Sequence, residues 1–292
     1  MFACVLIPGF LLLLVSFFIP ESPCWLFSKG KREKAKQSLL HTRSHEEADL
    51  EMQEMEELAS NSDDKSKKQF RWKRYYLLPL FIAISVACLN QLTGINSILQ
   101  FSSYILKNSG LDSNIISMMG STSVGLINFI VTILAFFLVD KIGRKPLLTI
   151  GTAGVVIALF FLGYVSFFVE TSMFKGYLVT GGLILFIMFF AIGPGVVVWL
   201  VLSELLPTPI RSTGMAICLF LNSLFSALFA SIFLDAVDVI GYGGIFWICG
   251  GFTFFYFLIA TIVLPETKNK SLEEIEQHFR NKKRPTGMPH GS

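Results

Sequence analysis

Long apolar stretches recur along this chain, at residues 75–106, 115–139, 146–169, 177–203, 212–233 and 244–264. Each reaches the roughly 20 residues that a helix needs to cross the hydrocarbon core of a bilayer. A seventh stretch, FACVLIPGFLLLLVSFFI, occupies residues 2–19. It lacks the basic start and the small-residue cleavage site of a signal peptide, so it reads as a true membrane helix. Between Leu77 and Leu264 no Asp, Glu, Lys or Arg lies near the middle of any stretch, a purity that a soluble core helix does not need. The pattern predicts an all-α, polytopic membrane protein with seven transmembrane helices.

The polar segments order those helices across the membrane. Residues 28–74 hold twelve Lys and Arg, and with alternating sides they share one face with Lys141, Arg144, Lys145, Arg211 and the basic tail. That face collects 22 basic residues; the other has only Lys107 and Lys175. The basic side is expected to be cytoplasmic, which places Met1 outside and Ser292 inside. The expected divisions are a membrane helix in 1–27, a cytoplasmic linker at 28–74, a six-helix transmembrane unit at 75–264 and a cytoplasmic tail at 265–292. Short outer turns are expected at 107–114, 170–176 and 234–244, the last holding Asp235 and Asp238. In the linker, Ser44-His45-Glu46-Glu47 resembles a capping box. It predicts a short amphipathic helix at about 44–59 with Leu50, Met55 and Leu58 on its apolar edge. Residues 60–68 are polar and expected to be mobile.

Composition narrows the function. The chain is 53% hydrophobic and 15% charged, against about 25% charged in soluble domains. Its five cysteines show no paired spacing, and its four histidines all lie outside the apolar stretches. No P-loop, zinc motif or nucleophile elbow is present, so the expectation is no enzyme, no cofactor and no metal site. Mixed Glu and Lys beside membrane spans reads as topology, not as a nucleic-acid surface.

Two helix ends repeat: Pro20-Glu21-Ser22-Pro23 and Pro265-Glu266-Thr267-Lys268. They suggest an internal duplication of the kind common in transporters, and further motifs give it an identity. Pro20-Glu21-Ser22-Pro23-Cys24-Trp25-Leu26 is similar to PESPRWL, with Cys24 in place of arginine. Asn90-Gln91-Leu92-Thr93-Gly94-Ile95-Asn96 is similar to QQLSGIN. Asp140-Lys141-Ile142-Gly143-Arg144-Lys145 fits D-x-x-G-R-R/K, and Glu204 to Arg211 fits E-x₆-R. Pro265 to Ile275 resembles PETKGxSLEEI. In this order the motifs resemble the sugar porters of the major facilitator superfamily, glucose facilitators and sugar–proton symporters among them. The resemblance implies a twelve-helix fold of which this chain corresponds to helices 6–12. It makes residues 1–27 the last helix of an N-terminal half not represented here.

The chemistry of a sugar site agrees with the residues present. Neutral amides donate and accept hydrogen bonds without the desolvation cost of a charge, which suits a polyhydroxylated ligand. The amides within the apolar stretches are Asn90, Gln91, Asn96, Gln100, Asn128 and Asn222. Taken singly, each is as readily helix glue. The resemblance implies that Asn90, Gln91, Asn96, Asn128 and Asn222 contact sugar, joined by Trp199 as a stacking partner. Gln100 stands where facilitators often have tyrosine. Gln91 and Asn96 are five residues apart, about 140° around a regular helix, so they share a face only if the helix breaks at Gly94. Gly193-Pro194-Gly195 is expected to kink its helix. Gly94, Gly193, Pro194 and Gly195 are therefore the candidate hinges. Val198 and Ala191 depart from the family pattern, which often has proline and, in animal facilitators, an acidic residue at these places. Asp140, Arg144, Glu204, Arg211 and Glu266 lie at cytoplasmic helix ends, where the resemblance implies a gate that pairs when the inner side is closed.

The expected function is transport of a hexose- or pentose-class sugar across a cell membrane, plasma or bacterial inner, by alternating access. The partners are the sugar, the lipid bilayer and, for coupling, protons only through helices not represented here. The membrane stretches hold no central carboxylate, so symport and facilitated diffusion both stay open. So do a working pair with a separate N-terminal half and an inactive remnant. A seven-helix membrane enzyme or receptor is the remote alternative.

Overall fold

In a computed structural model the structure describes residues 2–17, 21, 23–40, 43–45, 47–53, 55–56, 76–111, 113–207, 210–266 and 268. The expected mobile stretch 60–68, Leu58 and most of the tail 265–292 lie outside the described residues. The chain divides into two compact units, Met1–Trp72 and Lys73–Ser292.

The first unit comprises α1 (Phe2–Ser16), α2 (Pro23–Ser28), α3 (Arg32–Leu40) and helical turns at residues 45, 47–53 and 55–56. The residues of α1 whose side chains are described, from Gly9 on, are all exposed. The linker carries its own small core of Leu26, Ala35, Leu39 and Ala48. Three ion pairs tie α3, and Arg43 three residues past its end, to the last turns: Arg32–Glu56 at 3.1 Å, Lys36–Asp49 at 2.6 Å, and Arg43–Glu51. Aspartate contact raises the Lys36 pKa. The capping box forms in full. Glu47 N–H donates to Ser44 Oγ at 3.4 Å, and the Ser44 N–H and hydroxyl donate back to Glu47 Oε2 at 3.1 and 3.0 Å. These bonds to Ser44 lower the Glu47 pKa. The apolar edge differs from expectation. Ala48 is buried while Leu50 is exposed, because residues two apart on a helix are separated by about 200° around its axis, so the face that turns Ala48 inward turns Leu50 outward.

The second unit begins with α4 (Leu77–Leu92) and α5 (Ile95–Gln100), which share one membrane-length path, followed by α6 (Ser102–Asn108). Next come α7 (Asn114–Ile142), α8 (Arg144–Phe168) and α9 (Met173–Phe190). A wide π-type turn at Ala191–Gly195 joins α9 to α10 (Val196–Leu205). The chain closes with α11 (Arg211–Leu258), continued by a second π-type segment, Ile259–Val263. Among the described residues five helical runs are long and apolar enough to cross a membrane, and the last, Arg211–Val263, has 53 residues. At 1.5 Å per residue it would measure about 80 Å, far beyond a bilayer core of about 30 Å. Gly241 divides it, with φ 72° and ψ 167°. The outer loop expected over 234–244 is therefore replaced by helix up to this one glycine. Nothing before Gly241 in that segment, Asp235 and Asp238 included, breaks a helix.

The helix α8 is the axis of the unit, packed by α9 and by α11, which also covers α4. Small residues let backbones approach, as is usual between membrane helices. An ideal Cβ on Gly151 would lie 2.6 Å from Gly193 Cα, and one on Gly193 would lie 2.8 Å from Leu147 O. Further along, Gly154 receives the ring of Phe189 and Gly163 the indole of Trp247. Two apolar cores flank this crossing. One centres on Val86, Leu147, Val201, Leu205 and Tyr256, the other on Ile98, Leu159, Leu162, Phe186, Phe233 and Phe246. The outer faces of α7 and α11 remain apolar and exposed, with Phe129, Phe136, Phe137, Phe220 and Ile232 among them.

Two outcomes follow. Gly151→Val has no space beside Gly193, so it should destabilise the fold by about 1–3 kcal/mol. Gly181→Ala, with nothing within 4 Å of its Cβ, should leave it unchanged; thermal melting in detergent compares the two. In the linker, the depressed Glu47 pKa stabilises the folded cap fully above the ordinary value of 4.5. That contribution is lost as pH falls through the lower folded value. Hydrogen exchange at the Glu47 amide should accelerate beyond its intrinsic pH trend below pH 4.5, and Glu47→Gln should abolish the pH dependence.

Candidate substrate site

The site is built around a break in a membrane helix. The helix α4 ends at Leu92, and Gly94 adopts φ 80° and ψ 9°, a left-handed conformation that costs a glycine little. Past it, α5 restarts with its side chains rotated. Gln91 and Asn96, which a continuous helix would hold apart, meet: Asn96 Nδ2 donates to Gln91 Oε1 at 2.8 Å. Gln91 Nε2 donates in turn to Asn222 Oδ1 on α11 at 3.0 Å. Asn96 Nδ2 also donates to Ser226 Oγ, one turn beyond Asn222, at 2.8 Å. A chain of polar groups thus links α4, α5 and α11.

Beside this chain lies a cavity of about 260 Å³. Its lining includes Asn90, Gln91, Asn96, Asn128, Thr132 and Trp199, with Phe190, Ala191 and Gly195 closing the wall at the π-type turn. The structure brings four of the five candidate amides and the candidate indole to this one space, and Asn222 backs it through its bond to Gln91. Asn90 is buried, and its Oδ1 has no partner. Trp199 is 40% exposed. Gln100 is exposed and does not line the cavity. No lining residue is ionisable. Pro194 sits inside the π-type turn, where the wider winding takes up the backbone bond that proline cannot make.

At the far end of α8 the charged candidates converge. Arg144 Nε and Nη2 both reach Glu204 Oε1, at 3.1 and 3.0 Å, and Arg144 Nη1 lies 3.5 Å from Asp140. Glu266 caps the helix: its two carboxylate oxygens accept from the Arg144 and Lys145 amides, each at 3.1 Å. A carboxylate there complements the helix dipole. The fit depends on Gly143, with φ 103°, whose ideal Cβ would lie 3.0 Å from Glu266 Oε2. Lys268 Nζ adds a bond to Lys141 O at 2.6 Å. Arg211 does not join the carboxylates. Its Nε donates to Leu206 O at 3.3 Å, and its Nη2 is buried with no hydrogen-bond partner.

Residues 1–279 match the family described as "Sugar (and other) transporter". The chain belongs to this transporter family. It is 34% identical over 278 residues to a putative metabolite transport protein, YwtG, of Bacillus subtilis, covering 94% of this chain and 60% of the relative. The facilitated trehalose transporter Tret1 of Drosophila willistoni is 32% identical, over 93% of this chain and 32% of its own length. Among solved structures, the proton:xylose symporter XylE bound to 6-bromo-6-deoxy-D-glucose superposes with a TM-score of 0.77 at 31% identity. It covers 95% of this chain and 58% of that one. An inward-open XylE from E. coli gives 0.70 at 28% identity, over 93% and 55% of the respective chains. The chain therefore spans about three-fifths or less of the length of these relatives. This is a family of multi-pass membrane proteins, and the solved relatives have the major facilitator fold.

In this sugar transporter family chain, sequence reading missed Ser226 and Thr132. Each stands four residues after a candidate amide, Asn222 and Asn128. That i, i+4 spacing, which puts both side chains on one helix face, was the available signal. The charge cluster yields a direct check. Arg144 and Glu204 are mostly shielded, at 16% and 23% side-chain exposure. Arg144→Met and Glu204→Gln should each lower stability, and together by less than their sum. The expected coupling is about 0.5–3 kcal/mol, read from a double-mutant cycle in detergent.

Proposed function

We propose that this chain forms part of the translocation path for a neutral sugar, moved by alternating access without chemistry on the substrate. The observation that carries the reading is the cavity lined by Asn90, Gln91, Asn96, Asn128 and Trp199, with Asn222 behind it and no ionisable group in its wall. Amides recognise hydroxyls in both directions, and an indole offers an apolar face to a sugar ring. The family supports sugar as the substrate class. In this reading the protein crosses a cell membrane seven times, with α1 as one span and the run broken at Gly241 as two. The 22-to-2 division of basic residues places the N-terminus outside and the C-terminus in the cytoplasm.

Alternating access needs elements with two arrangements. Gly94 and Gly193-Pro194-Gly195 interrupt the two helices that bear Gln91 and Trp199, and serve as the hinges. Asp140, Arg144, Glu204 and Glu266 form the inner gate, with Arg211 beside it. Its pairs are made here. Part of the sugar's surroundings is contributed by helices that the longer relatives have beyond the matched region, from the same chain or a separate one. Proton coupling, where present, resides in those helices.

Binding of radiolabelled D-glucose, D-xylose, trehalose and myo-inositol to the chain reconstituted in lipid nanodiscs together with the N-terminal half of a longer relative tests the site; by itself the chain should bind weakly or not at all. At least one should bind saturably, and Gln91→Ala and Asn222→Ala should each weaken it several-fold, as loss of one net hydrogen bond of about 0.5–1.5 kcal/mol requires. Binding of none of the four, or binding that both substitutions leave unchanged, would remove the assignment.

A further inference from the structure

The polar groups around the cavity fall into two sets. Gln91 and Asn96 are engaged, with each other and with Asn222 and Ser226. Asn90 Oδ1 is unpartnered, and among the described residues Asn128 and Thr132 make no hydrogen bond through their side chains. The threonine is the informative member. A hydroxyl on a helix commonly donates to the carbonyl four residues back. Thr122, Thr152, Thr180, Thr253 and Thr261 all do so here, at 2.7–2.8 Å. Thr132, on α7, has the same acceptor available at Asn128 and leaves it unused. Thr149 on α8 also makes no such bond, but it does not line the cavity. The Thr132 side chain does line it, half-buried, one turn from Asn128 on the same face.

From this placement we propose that Thr132 is a specificity-determining residue whose hydroxyl bonds one sugar hydroxyl, while Asn128 holds a second. The proposal rests on the sugar-site reading above. Along the helix axis the two positions are about 6 Å apart. That separation suits hydroxyls on opposite sides of a six-membered ring better than hydroxyls on adjacent carbons. A threonine hydroxyl donates once and accepts as well, so it pairs with a hydroxyl in either orientation. The engaged amides form a fixed wall, and discrimination among sugars falls to the open groups on α7.

The test measures Kd for the best-bound of the four probes and for its monodeoxy analogues, on the same reconstituted preparation in nanodiscs. Thr132→Val, which keeps shape and removes the hydroxyl, should weaken the parent sugar about 2–10-fold. Thr132→Ser should keep most of the affinity. One deoxy analogue, the one lacking the partner hydroxyl, should bind wild type and Thr132→Val equally. Should Thr132→Val fail to fold, judged by gel filtration, Thr132→Ala takes its place in the same comparison. If the hydroxyl-free variant leaves every analogue ratio unchanged while Gln91→Ala still weakens binding, Thr132 has no such role and the sugar site stands. If Gln91→Ala and the Thr132 variants all leave binding unchanged, or wild type binds no probe, both readings fall.

Discussion

An amide inside a bilayer has no water to turn to, so it must find a partner in the protein or in a ligand. That constraint orders this molecule. Charges are confined to helix ends, where Arg144, Glu204 and Glu266 satisfy one another and the open amides of α8. The amides allowed into the interior are few, and most of them converge on one cavity. Convergence in turn depends on Gly94, whose left-handed backbone turns Asn96 toward Gln91. Without the break, the two side chains would point about 140° apart and the link to Asn222 and Ser226 would have one member fewer.

The same economy shapes the packing. A helix interface in lipid gains little from hydrophobic exclusion, so it relies on close contact and on satisfied polar groups. The Gly151–Gly193 crossing brings two backbones together at the level of the π-type turn. That turn holds Pro194 and positions Phe190, Ala191 and Gly195 against the cavity. Packing and site are therefore one construction: the glycines that permit the crossing also set where Trp199 stands, four residues beyond Gly195.

Much of this was legible in the amino-acid sequence, because membrane helices announce themselves by length and purity and because the motif residues carry specific chemistry. The capping box at Ser44, the break at Gly94 and the distortion at Gly193-Pro194-Gly195 were each foreseeable from local rules. The helix running on past 234 was not, since acidic residues such as Asp235 and Asp238 suggest a loop but do not break a helix. Nor was the edge of the linker helix, where a neighbouring helix decides that Ala48 and not Leu50 is covered. Arg211 taking the Leu206 carbonyl in preference to a carboxylate depends on the local turn of the chain, which spacing does not encode. Thr132 and Ser226 escaped notice because hydroxyls are common in membrane helices and usually bond their own backbone.

The central claim is that the amides of this cavity meet the sugar directly. Side-chain amide resonances of the isotopically labelled chain, reconstituted in lipid with the N-terminal half of a longer relative and recorded by solid-state NMR with and without saturating sugar, test it at the atoms concerned. The resonances of Asn90, Gln91, Asn96 and Asn128 should shift on binding. That of Asn108, bonded to Tyr242 away from the cavity, should stay in place. A sugar that binds while those four resonances remain unmoved would contradict the account.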